Sequence, residues 1–336
     1  MNIAIVGATG NVGRKIIEVL ENKNFPISEL FLVASSRSSG TKISFKGKEH
    51  TVIDLEKFDF SKVKIAFFAA GSAVAEKWAN KAAEKTIVID NSKFFRKDPD
   101  IPLIVPEVNS KELVYVKNKN IIANANCSVI PLVVALKPLH DLYIVRRIVA
   151  STYQSVSGAG KASMDELLSQ TQDYFNNKNL QSENFTKQIA FNVIPHIDSF
   201  LENGYTKEEQ KTSDEVKKIL DKKIKITSTC VRIPVLVSHS ISANVEFEKK
   251  INLDEIRNVL STSPGCKVVD EQRDGGYITP VEAENKYETF ISRIRRDDSQ
   301  SNTVNLWIVS DNLLKGAALN AVEIAESLVK KNLHDR

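Results

Sequence analysis

Residues 2–13 read Asn2-Ile-Ala-Ile-Val6-Gly7-Ala-Thr-Gly10-Asn-Val-Gly13, a short apolar run followed by three spaced glycines. The run predicts a buried strand, and the pattern from Arg14 to Glu21 predicts a helix after the glycine turn. This order is typical of a dinucleotide site, because glycines let the backbone approach a pyrophosphate and the helix N-terminus supplies N–H groups. The spacing is GxxGxxG rather than the commoner GxGxxG, so a glycine turn without a ligand stays an alternative.

Further apolar runs alternate with helical stretches through the first third of the chain. Parallel strands buried on both faces are continuously apolar, so the pattern predicts an α/β domain with a doubly wound, Rossmann-type parallel sheet. Ligands of such sheets lie at the carboxyl ends of the strands, where this chain has Gly71 with Ser72, Ser92, Arg96 and Cys127. The predicted strands after the first are Leu30–Ala34, Lys64–Ala70, Thr86–Asp90, Leu103–Val105 and Ile121–Ala123.

The second predicted strand ends in Ser35-Ser36-Arg37-Ser38, with Lys42 close behind. A site for NAD carries an acidic residue here to hold the ribose hydroxyls. This chain offers hydroxyls and a guanidinium instead, which suit a 2′-phosphate. The segment therefore predicts NADP, although an exposed arginine is often only solvated.

The stretch 120–131, NIIANANCSVIP, predicts a strand that ends just before a helix. Cys127 stands where that helix begins, Ser128 can cap it, and Val129–Leu139 continues it. The positive end of the helix dipole favours thiolate, which makes Cys127 a candidate nucleophile. A buried structural cysteine is the alternative, and the polar neighbours Asn126 and Ser128 weigh against it.

The second half of the chain predicts a separate α+β domain. A polar helix is expected from Lys161 to about Asn177, and residues 178–222 look irregular and charged. A long amphipathic helix, Asn312–Leu333, is expected to return to the first domain. The five predicted strands, Arg147–Gln154, Lys225–Pro234, Ser240–Glu248, Tyr287–Asp297 and Asn302–Val309, alternate as half-exposed antiparallel strands do.

Composition excludes several classes of protein. The 336 residues are 42% hydrophobic and 26% charged with a net charge of +4, which predicts an ordinary soluble globular protein without a nucleic-acid-binding tail. No apolar run approaches the roughly 20 residues of a membrane span, and because the first predicted strand begins at Asn2 we expect no signal or transit peptide. The three cysteines have no metal-like spacing, so we expect no metal site and a reducing cytoplasm.

The chain resembles the aspartate-β-semialdehyde dehydrogenase family over nearly its whole length. The shared motifs are GATGNVG at 7–13, SSRS at 35–38, NANCS at 124–128, QSVSGAG at 154–160, EEQK at 208–211, CVRIPVLVSHS at 230–240 and SDNLLKGAA at 310–318. The resemblance implies reduction of L-aspartyl-4-phosphate with NADPH, giving the semialdehyde and phosphate for lysine, methionine and threonine biosynthesis. It also implies a homodimer, or a dimer of dimers, built through the second domain.

The resemblance also implies roles for individual residues. Cys127 is the expected nucleophile and His239 the acid/base; Gln154 orients the acyl intermediate, and Asn126 precedes the nucleophile. The substrate carboxylate is expected at Arg232, its amino group at Glu208, and phosphate at Arg96 and Lys211. Residues 1–126 and 312–336 are the expected NADP-binding domain, and 127–311 the catalytic and dimerisation domain. The expected cofactor contacts are Gly7, Thr9, Gly10, Asn11, Val12, Gly13, Ser35, Ser36, Arg37, Ser38, Gly71, Ser72, Ser157, Gly158 and Asn312.

Two alternatives stay open from the sequence. An enzyme such as N-acetylglutamyl-phosphate reductase has a similar plan, but an acylated amine offers no cation for Glu208 to bind. A non-catalytic NADP-binding regulator would not need Cys127, Gln154 and His239 together. The segment 178–205 carries no motif, and its role stays open.

Overall fold

The computed structural model describes residues 1–334, which form two compact units. The first unit is Met1–Ala125 together with the described chain from Ala317 onward, and the second is Asn126–Gly316. The predicted domain boundaries, 126/127 and 311/312, lie near these divisions, and the roles assigned to the two domains stay predictions. Residues 335 and 336 of the predicted first domain lie outside the described residues.

The two units differ in how strands and helices follow one another along the chain. The first unit up to Ala125 contains β1 (Asn2–Val6), α1 (Asn11–Asn22), β2 (Glu29–Ala34), β3 (Lys42–Phe45), β4 (Lys48–Thr51), β5 (Ile53–Asp54), β6 (Ile65–Phe68), α2 (Ser72–Ala83), β7 (Ile87–Asp90), β8 (Leu103–Ile104), α3 (Pro106–Asn109) and β9 (Ile121–Asn124). The second unit contains α4 (Val129–Tyr143), β10 (Val145–Gln154), α5 (Lys161–Phe175), α6 (Lys207–Ile219), β11 (Lys225–Arg232), β12 (His239–Phe247), α7 (Leu253–Thr262), β13 (Cys266–Val268), α8 (Pro280–Ala283), β14 (Thr289–Arg296) and β15 (Thr303–Ser310). The chain then forms a π turn (Leu314–Ala318) and α9 (Leu319–Lys330).

The first unit is built on a seven-stranded sheet in the order β5-β2-β1-β6-β7-β9-β8, with every neighbouring pair parallel. All residues of β6, β7 and β9 are buried, which explains why their sequences are apolar up to the last residues of β7 and β9, Asp90 and Asn124. Helix α9 packs against α1 and β7, so the C-terminal helix completes this unit. The predicted Rossmann-type α/β class is confirmed.

Strand order reverses between β1 and β6, which is the switch point where doubly wound sheets bind ligands. The glycine turn lies at this point. Gly7 has φ +87°, and a Cβ there would lie 2.6 Å from the Ala69 carbonyl oxygen after β6. A Cβ on Gly13 would lie 2.1 Å from the Gly7 carbonyl oxygen. Both positions therefore require glycine for the turn to close against the sheet.

The second unit contains a six-stranded sheet in the order β11-β10-β12-β15-β14-β13. The prediction of an antiparallel sheet is only partly right, because β10 pairs with β11 in parallel and β13 with β14 in parallel. Parallel neighbours need a long crossover connection, and residues 155–224 between β10 and β11 carry α5 and α6. The separate α+β unit is confirmed.

Two local predictions were wrong. Residues 178–222 are not all irregular, because α6 spans Lys207–Ile219 and begins with a capping box between Thr206 and Glu209. The C-terminal segment is not one helix from Asn312 to Leu333. The Asp311 carboxylate accepts the backbone N–H groups of Leu313 and Leu314, so Asn312 lies in a turn before the π turn and α9.

Candidate active site

Cys127 lies in the loop that leads into α4, and Asn126 shapes this loop. The Asn126 side-chain oxygen accepts the Ser128 N–H at 2.8 Å, and its backbone oxygen accepts the N–H groups of Val129 and Ile130. The predicted cap by Ser128 is wrong, because its hydroxyl is buried without a hydrogen bond in the described chain. Asn126 takes that role, because its side-chain oxygen accepts the backbone N–H of Ser128 in the turn before α4. Cys127 thus stands at the positive end of a fifteen-residue helix.

The Cys127 sulfur lies 3.3 Å from Nε2 of His239, the first residue of β12. The backbone N–H of Ser155 donates to Nδ1 of the same ring at 3.1 Å. A backbone N–H can only donate, so Nδ1 carries a lone pair and the proton of the neutral ring is on Nε2. His239 thereby presents an N–H to the sulfur.

Burial lowers the pKa of His239 to about 3, and the charge of Arg232 acts in the same direction. The ring is therefore neutral at physiological pH. Arg232 is itself buried at the end of β11, and its Nη1 donates to the Ser155 carbonyl oxygen at 2.6 Å. Desolvation lowers the pKa of Arg232, and the charge on Cys127 and Glu208 opposes that shift. The guanidinium and the His239 N–H both favour a thiolate at Cys127.

Glu208 connects three of the other predicted site residues. Its Oε1 accepts from the Asn126 amide at 2.9 Å and from the Gln154 amide at 3.4 Å, while Oε2 accepts from Lys211 at 2.9 Å. Lys211 also donates to Asp198 at 2.7 Å. Burial alone would lower the pKa of Lys211, but the two carboxylates outweigh it and raise the pKa.

Two glycines leave room beside the reacting groups. A Cβ on Gly158 would lie 3.3 Å from Nε2 of His239 and 3.6 Å from Nη1 of Arg232. A Cβ on Gly316, in the π turn, would lie 3.0 Å from the Cys127 Cβ. A side chain at either position would press on the pair formed by Cys127 and His239, which explains why glycine stands at both.

Ser157 and Asn312, both predicted cofactor contacts, are buried in this unit as well. The Asn312 carboxamide bonds to Ser155, Ser157 and the backbone N–H of Ser238. The second unit therefore brings together ten predicted site residues: Asn126, Cys127, Gln154, Ser157, Gly158, Glu208, Lys211, Arg232, His239 and Asn312.

The first unit holds the other predicted cofactor residues. The glycine turn leads into α1, whose N-cap Gly10 supplies no capping side chain. The hydroxyl groups of Thr9 and Ser38 lie 3.5 Å apart, which joins this turn to the loop after β2. Ser35, Ser36 and Arg37 are exposed there. Gly71, with φ +82°, precedes Ser72 at the start of α2. A glycine turn that admits close approach of a ligand, with an exposed cationic loop beside it, fits a nicotinamide dinucleotide.

Arg96 belongs to the first unit, and its Nη2 donates to the Asn91 carbonyl oxygen at 3.1 Å. Burial raises the pKa of nearby Asp90, and the Arg96 charge opposes that shift. Arg96 and Lys211 fall in different units, and their pairing at phosphate stays a prediction.

Sequence reasoning missed three residues that touch the predicted site: Ser155, Asp198 and Glu215. Glu215 is buried on α6 and accepts the backbone N–H of Asn126 at 2.6 Å. Its spacing of seven residues from Glu208, two helical turns, is a signal that a correct helix assignment would have exposed. Ser155 and Asp198 leave no comparable pattern.

Within residues 1–334 no group of three or more His, Cys, Asp or Glu side chains could hold a metal ion. The same range contains no helix long and apolar enough to cross a bilayer.

Comparisons with known proteins cover both units. Residues 2–115 match the family described as semialdehyde dehydrogenase, NAD binding domain, and residues 136–315 match semialdehyde dehydrogenase, dimerisation domain. The aspartate-semialdehyde dehydrogenase of Aquifex aeolicus is 50% identical over 98% of each chain, and that of Rickettsia bellii is 48% identical over 99% of this chain and 98% of its own. A crystal structure of aspartate semialdehyde dehydrogenase II from Vibrio cholerae, complexed with ASA, has a TM-score of 0.96 at 47% identity and 98% coverage of each chain.

Proposed function

This chain belongs to the aspartate-semialdehyde dehydrogenase family, and we propose that it interconverts L-aspartyl-4-phosphate and L-aspartate 4-semialdehyde through a thioester on Cys127. The observation that carries the proposal is the 3.3 Å approach of the Cys127 sulfur to His239 Nε2. Arg232 and Glu208 in the same unit supply the charges that a carboxylate and an ammonium require. Such a reaction serves the biosynthesis of lysine, methionine and threonine.

The thiolate of Cys127 attacks the carbonyl carbon of the acyl phosphate and forms an S–C bond. The bond between that carbon and the bridging phosphate oxygen then breaks, and phosphate leaves. A carbonyl carbon bonded to the sulfur brings its oxygen next to the Nε2–H of His239, which can donate to the developing oxyanion. When bound, NADPH supplies the hydride that reduces the thioester carbon. Cleavage of the S–C bond then returns the Cys127 thiolate.

Arg232 is proposed to bind the substrate carboxylate. Its Nη1 donates to Ser155, and its other guanidinium nitrogens make no hydrogen bond in the part of the chain that the structure describes. Two parallel N–H bonds to a carboxylate remain available to it. Glu208 is proposed to bind the substrate ammonium, and Gln154 and Asn126, both bonded to Glu208, to orient the acyl group.

NADP rather than NAD is proposed as the cofactor. Support comes from the exposed loop Ser35–Ser38 after β2, which has hydroxyl groups and the Arg37 guanidinium and no carboxylate. The glycine turn Gly7–Gly13 is proposed to approach the pyrophosphate of the cofactor, and Gly71 and Ser72 are proposed as further cofactor contacts. Lys211 with Arg96 is proposed for phosphate.

A homodimer, or a dimer of dimers, built through the second unit is proposed from the match of residues 136–315 to a dimerisation domain. Light scattering on the purified protein tests it. The cytoplasm is the proposed compartment, because Cys127, Cys230 and Cys266 are all free thiols.

The test of function is the reduction of NADP by the purified enzyme with L-aspartate 4-semialdehyde, with and without inorganic phosphate. Phosphate-dependent turnover is expected, with none in Cys127→Ala. Cys266→Ala is the matched control, since that thiol bonds the Val134 carbonyl and its loss should leave wild-type turnover. Preference for the N-acetylated glutamyl semialdehyde, or a tenth of the activity remaining in Cys127→Ala, would overturn the proposal.

A further inference from the structure

Asn312 forms a buried hydrogen-bond cluster with residues that hold His239 at Nδ1, the ring nitrogen away from Cys127. Its Oδ1 accepts the Ser238 backbone N–H at 2.8 Å and lies 3.1 and 3.2 Å from the hydroxyls of Ser155 and Ser157. Its Nδ2 donates to the Ser157 hydroxyl at 3.0 Å. All five side chains of the cluster, including His239, are buried. Water does not compete for these bonds, so they restrain the groups that make them.

Two of these contacts fix His239 through different neighbours. Ser238, the residue before it, has φ +75°, a costly conformation for a residue with a Cβ. The Ser238 hydroxyl is buried without a hydrogen bond in the described chain. The backbone N–H of Ser238 is therefore the group through which Asn312 holds this residue. Ser155 donates its backbone N–H to His239 Nδ1 at 3.1 Å, and its hydroxyl, 3.0 Å from the same nitrogen, gives its one proton to Asn312 Oδ1.

We propose that Asn312 is a positioning residue for the Cys127–His239 pair, because it holds Ser238 and Ser155 so that the Ser155 backbone N–H stays on His239 Nδ1 and the Nε2–H points at the sulfur. Asn312 acts through these two serines and touches neither reacting atom in the hydrogen bonds described. This role is separate from the nicotinamide contact that the resemblance implies. It rests on the proposed function only in taking Cys127 and His239 as the reacting pair.

The charged groups that face His239 are Arg232 from β11 and Glu208 from α6, with Cys127 itself at 3.3 Å. In the described chain none of them bonds to Asn312. A change at Asn312 therefore alters the ring's position without altering the charges around it. A nicotinamide contact, by contrast, has no effect when the cofactor is absent, which separates the two roles.

The first experiment is alkylation of Cys127 by iodoacetamide in cofactor-free enzyme between pH 5 and 10, followed on the Cys127 peptide by mass spectrometry. Asn312→Ala should lower the alkylation rate at pH 7 about tenfold and move the pH profile to higher pH. The reason is that one hydrogen bond to the thiolate changes the thiol–thiolate equilibrium by about a factor of ten. Asn109→Ala is the matched control: Asn109 is a buried amide of the first unit that bonds Val105 and Leu103. It should leave the Cys127 profile unchanged.

The second experiment records the ring nitrogens of ¹⁵N-histidine-labelled enzyme at pH 7. His239→Gln identifies the His239 signal among the five histidines. Wild type should show Nε2–H, and in Asn312→Ala the Nε2 signal should shift because its hydrogen bond to the Cys127 sulfur is weakened. An unchanged Nε2 signal and alkylation profile, with weaker NADP binding alone, would overturn the proposal and leave Asn312 as a cofactor contact.

If the melting temperature shows that Asn312→Ala does not fold, Ser155→Ala tests the positioning role instead. This variant keeps the Ser155 N–H and removes only the hydroxyl between His239 and Asn312. Cys127 alkylation should slow about threefold, as for one neutral hydrogen bond. A profile identical to wild type would refute the proposal. Failure of the proposed function would appear separately, as turnover that survives in Cys127→Ala.

Discussion

The Glu215 carboxylate accepts the backbone N–H of Asn126 at 2.6 Å and so anchors the residue before Cys127, the proposed nucleophile, to α6. Glu208, two helical turns earlier, binds the side chain of the same asparagine. Asn126 is therefore held by one helix at both its backbone and its amide. The position of Cys127 thus depends on a carboxylate to which no substrate contact is assigned.

Glu215→Ala should lower kcat by about tenfold or more, because the buried N–H of Asn126 loses its acceptor at a cost of about 1–3 kcal/mol. Glu215→Gln keeps an acceptor oxygen and should stay within a few-fold of wild type. Steady-state kinetics and melting curves of both variants test this.

The matched control for that experiment is Glu166→Ala. Glu166 is also a buried carboxylate of the second unit, and it accepts the backbone N–H groups of Glu183 and Asn184. This variant should lose stability and keep kcat. If Glu215→Ala lowers only the melting temperature, as Glu166→Ala does, the anchoring role is wrong.

The low pKa of His239 makes stability depend on pH in acid. The folded ring has a pKa of about 3, caused first by burial, whereas the unfolded ring titrates near 6.5. Between these values the unfolded chain binds the extra proton, so stability is complete above about pH 6.5 and falls as pH is lowered. The slope approaches roughly 1.4 kcal/mol per pH unit. Urea unfolding of wild type and His239→Gln at pH 4–7 should show a smaller slope in the variant. Equal slopes of unfolding free energy against pH in the two proteins would contradict this prediction.

Lys211 should bind phosphate more tightly once Asp198 is neutralised. The ammonium is shared by Asp198 at 2.7 Å and Glu208 at 2.9 Å, so two negative charges surround one positive charge. Asp198 also holds a left-handed backbone, φ +68°, which asparagine tolerates equally well. Asp198→Asn removes repulsion of roughly 1 kcal/mol for part-buried groups, so the KM for phosphate should fall about fivefold.

The measurement is phosphate-dependent NADP reduction at fixed semialdehyde. Asp165→Asn is the control, because Asp165 pairs with an exposed lysine, Lys161, on α5 and should leave the KM unchanged. A higher KM in Asp198→Asn would mean instead that Asp198 positions Lys211 for phosphate.

The cofactor loop makes a separate prediction. Arg37, with Ser35 and Ser36, should hold the 2′-phosphate through charge-assisted bonds of about 1.5–3 kcal/mol each. Arg37→Ala should weaken NADP about tenfold or more and leave NAD nearly unchanged. Titration with both cofactors measures it, with Lys111→Ala, an exposed lysine of the same unit, as control. Equal losses for both cofactors would assign Arg37 a structural role.

The local pattern of apolar residues predicted the strands and helices that bury apolar side chains. The glycine turn and the strands around it follow from residues 2–13 because sterics and burial act within a few residues there. Helix α6 escaped prediction because it buries Glu208, Thr212 and Glu215, and these polar residues break its apolar period. Its capping box, Thr206 with Glu209, was the remaining signal.

Contacts between residues far apart in the sequence could not be predicted from local patterns. Strands β10 and β11 alternate as antiparallel strands do, and only the crossover through α5 and α6 makes them parallel. The contact of Asn312 with Ser155 joins residues 157 positions apart, and no periodicity records it. The predicted list of site residues came from motif resemblance, and their division between the two units came from the structure.

Substrate charge recognition makes the last prediction. Arg232 is buried and uses Nη1 for the Ser155 carbonyl, which leaves its other N–H groups for the proposed contact with the substrate carboxylate. A lysine has one nitrogen and cannot serve both partners in the guanidinium geometry. Arg232→Lys should therefore lower kcat/KM for the semialdehyde about thirtyfold, within the range for disrupting a desolvated charge pair. Part of the loss should appear in kcat, because Ser155 also contacts His239 and a released Ser155 disturbs the catalytic pair.

Glu208→Gln distinguishes the ammonium site from the carboxylate site. The amide keeps an oxygen for Asn126 and Gln154 but loses the charge, so the free-amine substrate should lose its advantage over an N-acetyl analogue. Steady-state kinetics of Arg232→Lys and Glu208→Gln with both substrates measure this. Arg147→Lys, on the exposed side of β10, is the matched control and should behave as wild type. If Arg232→Lys does so too, the carboxylate is bound elsewhere, since one ammonium cannot replace both bonds of the fork.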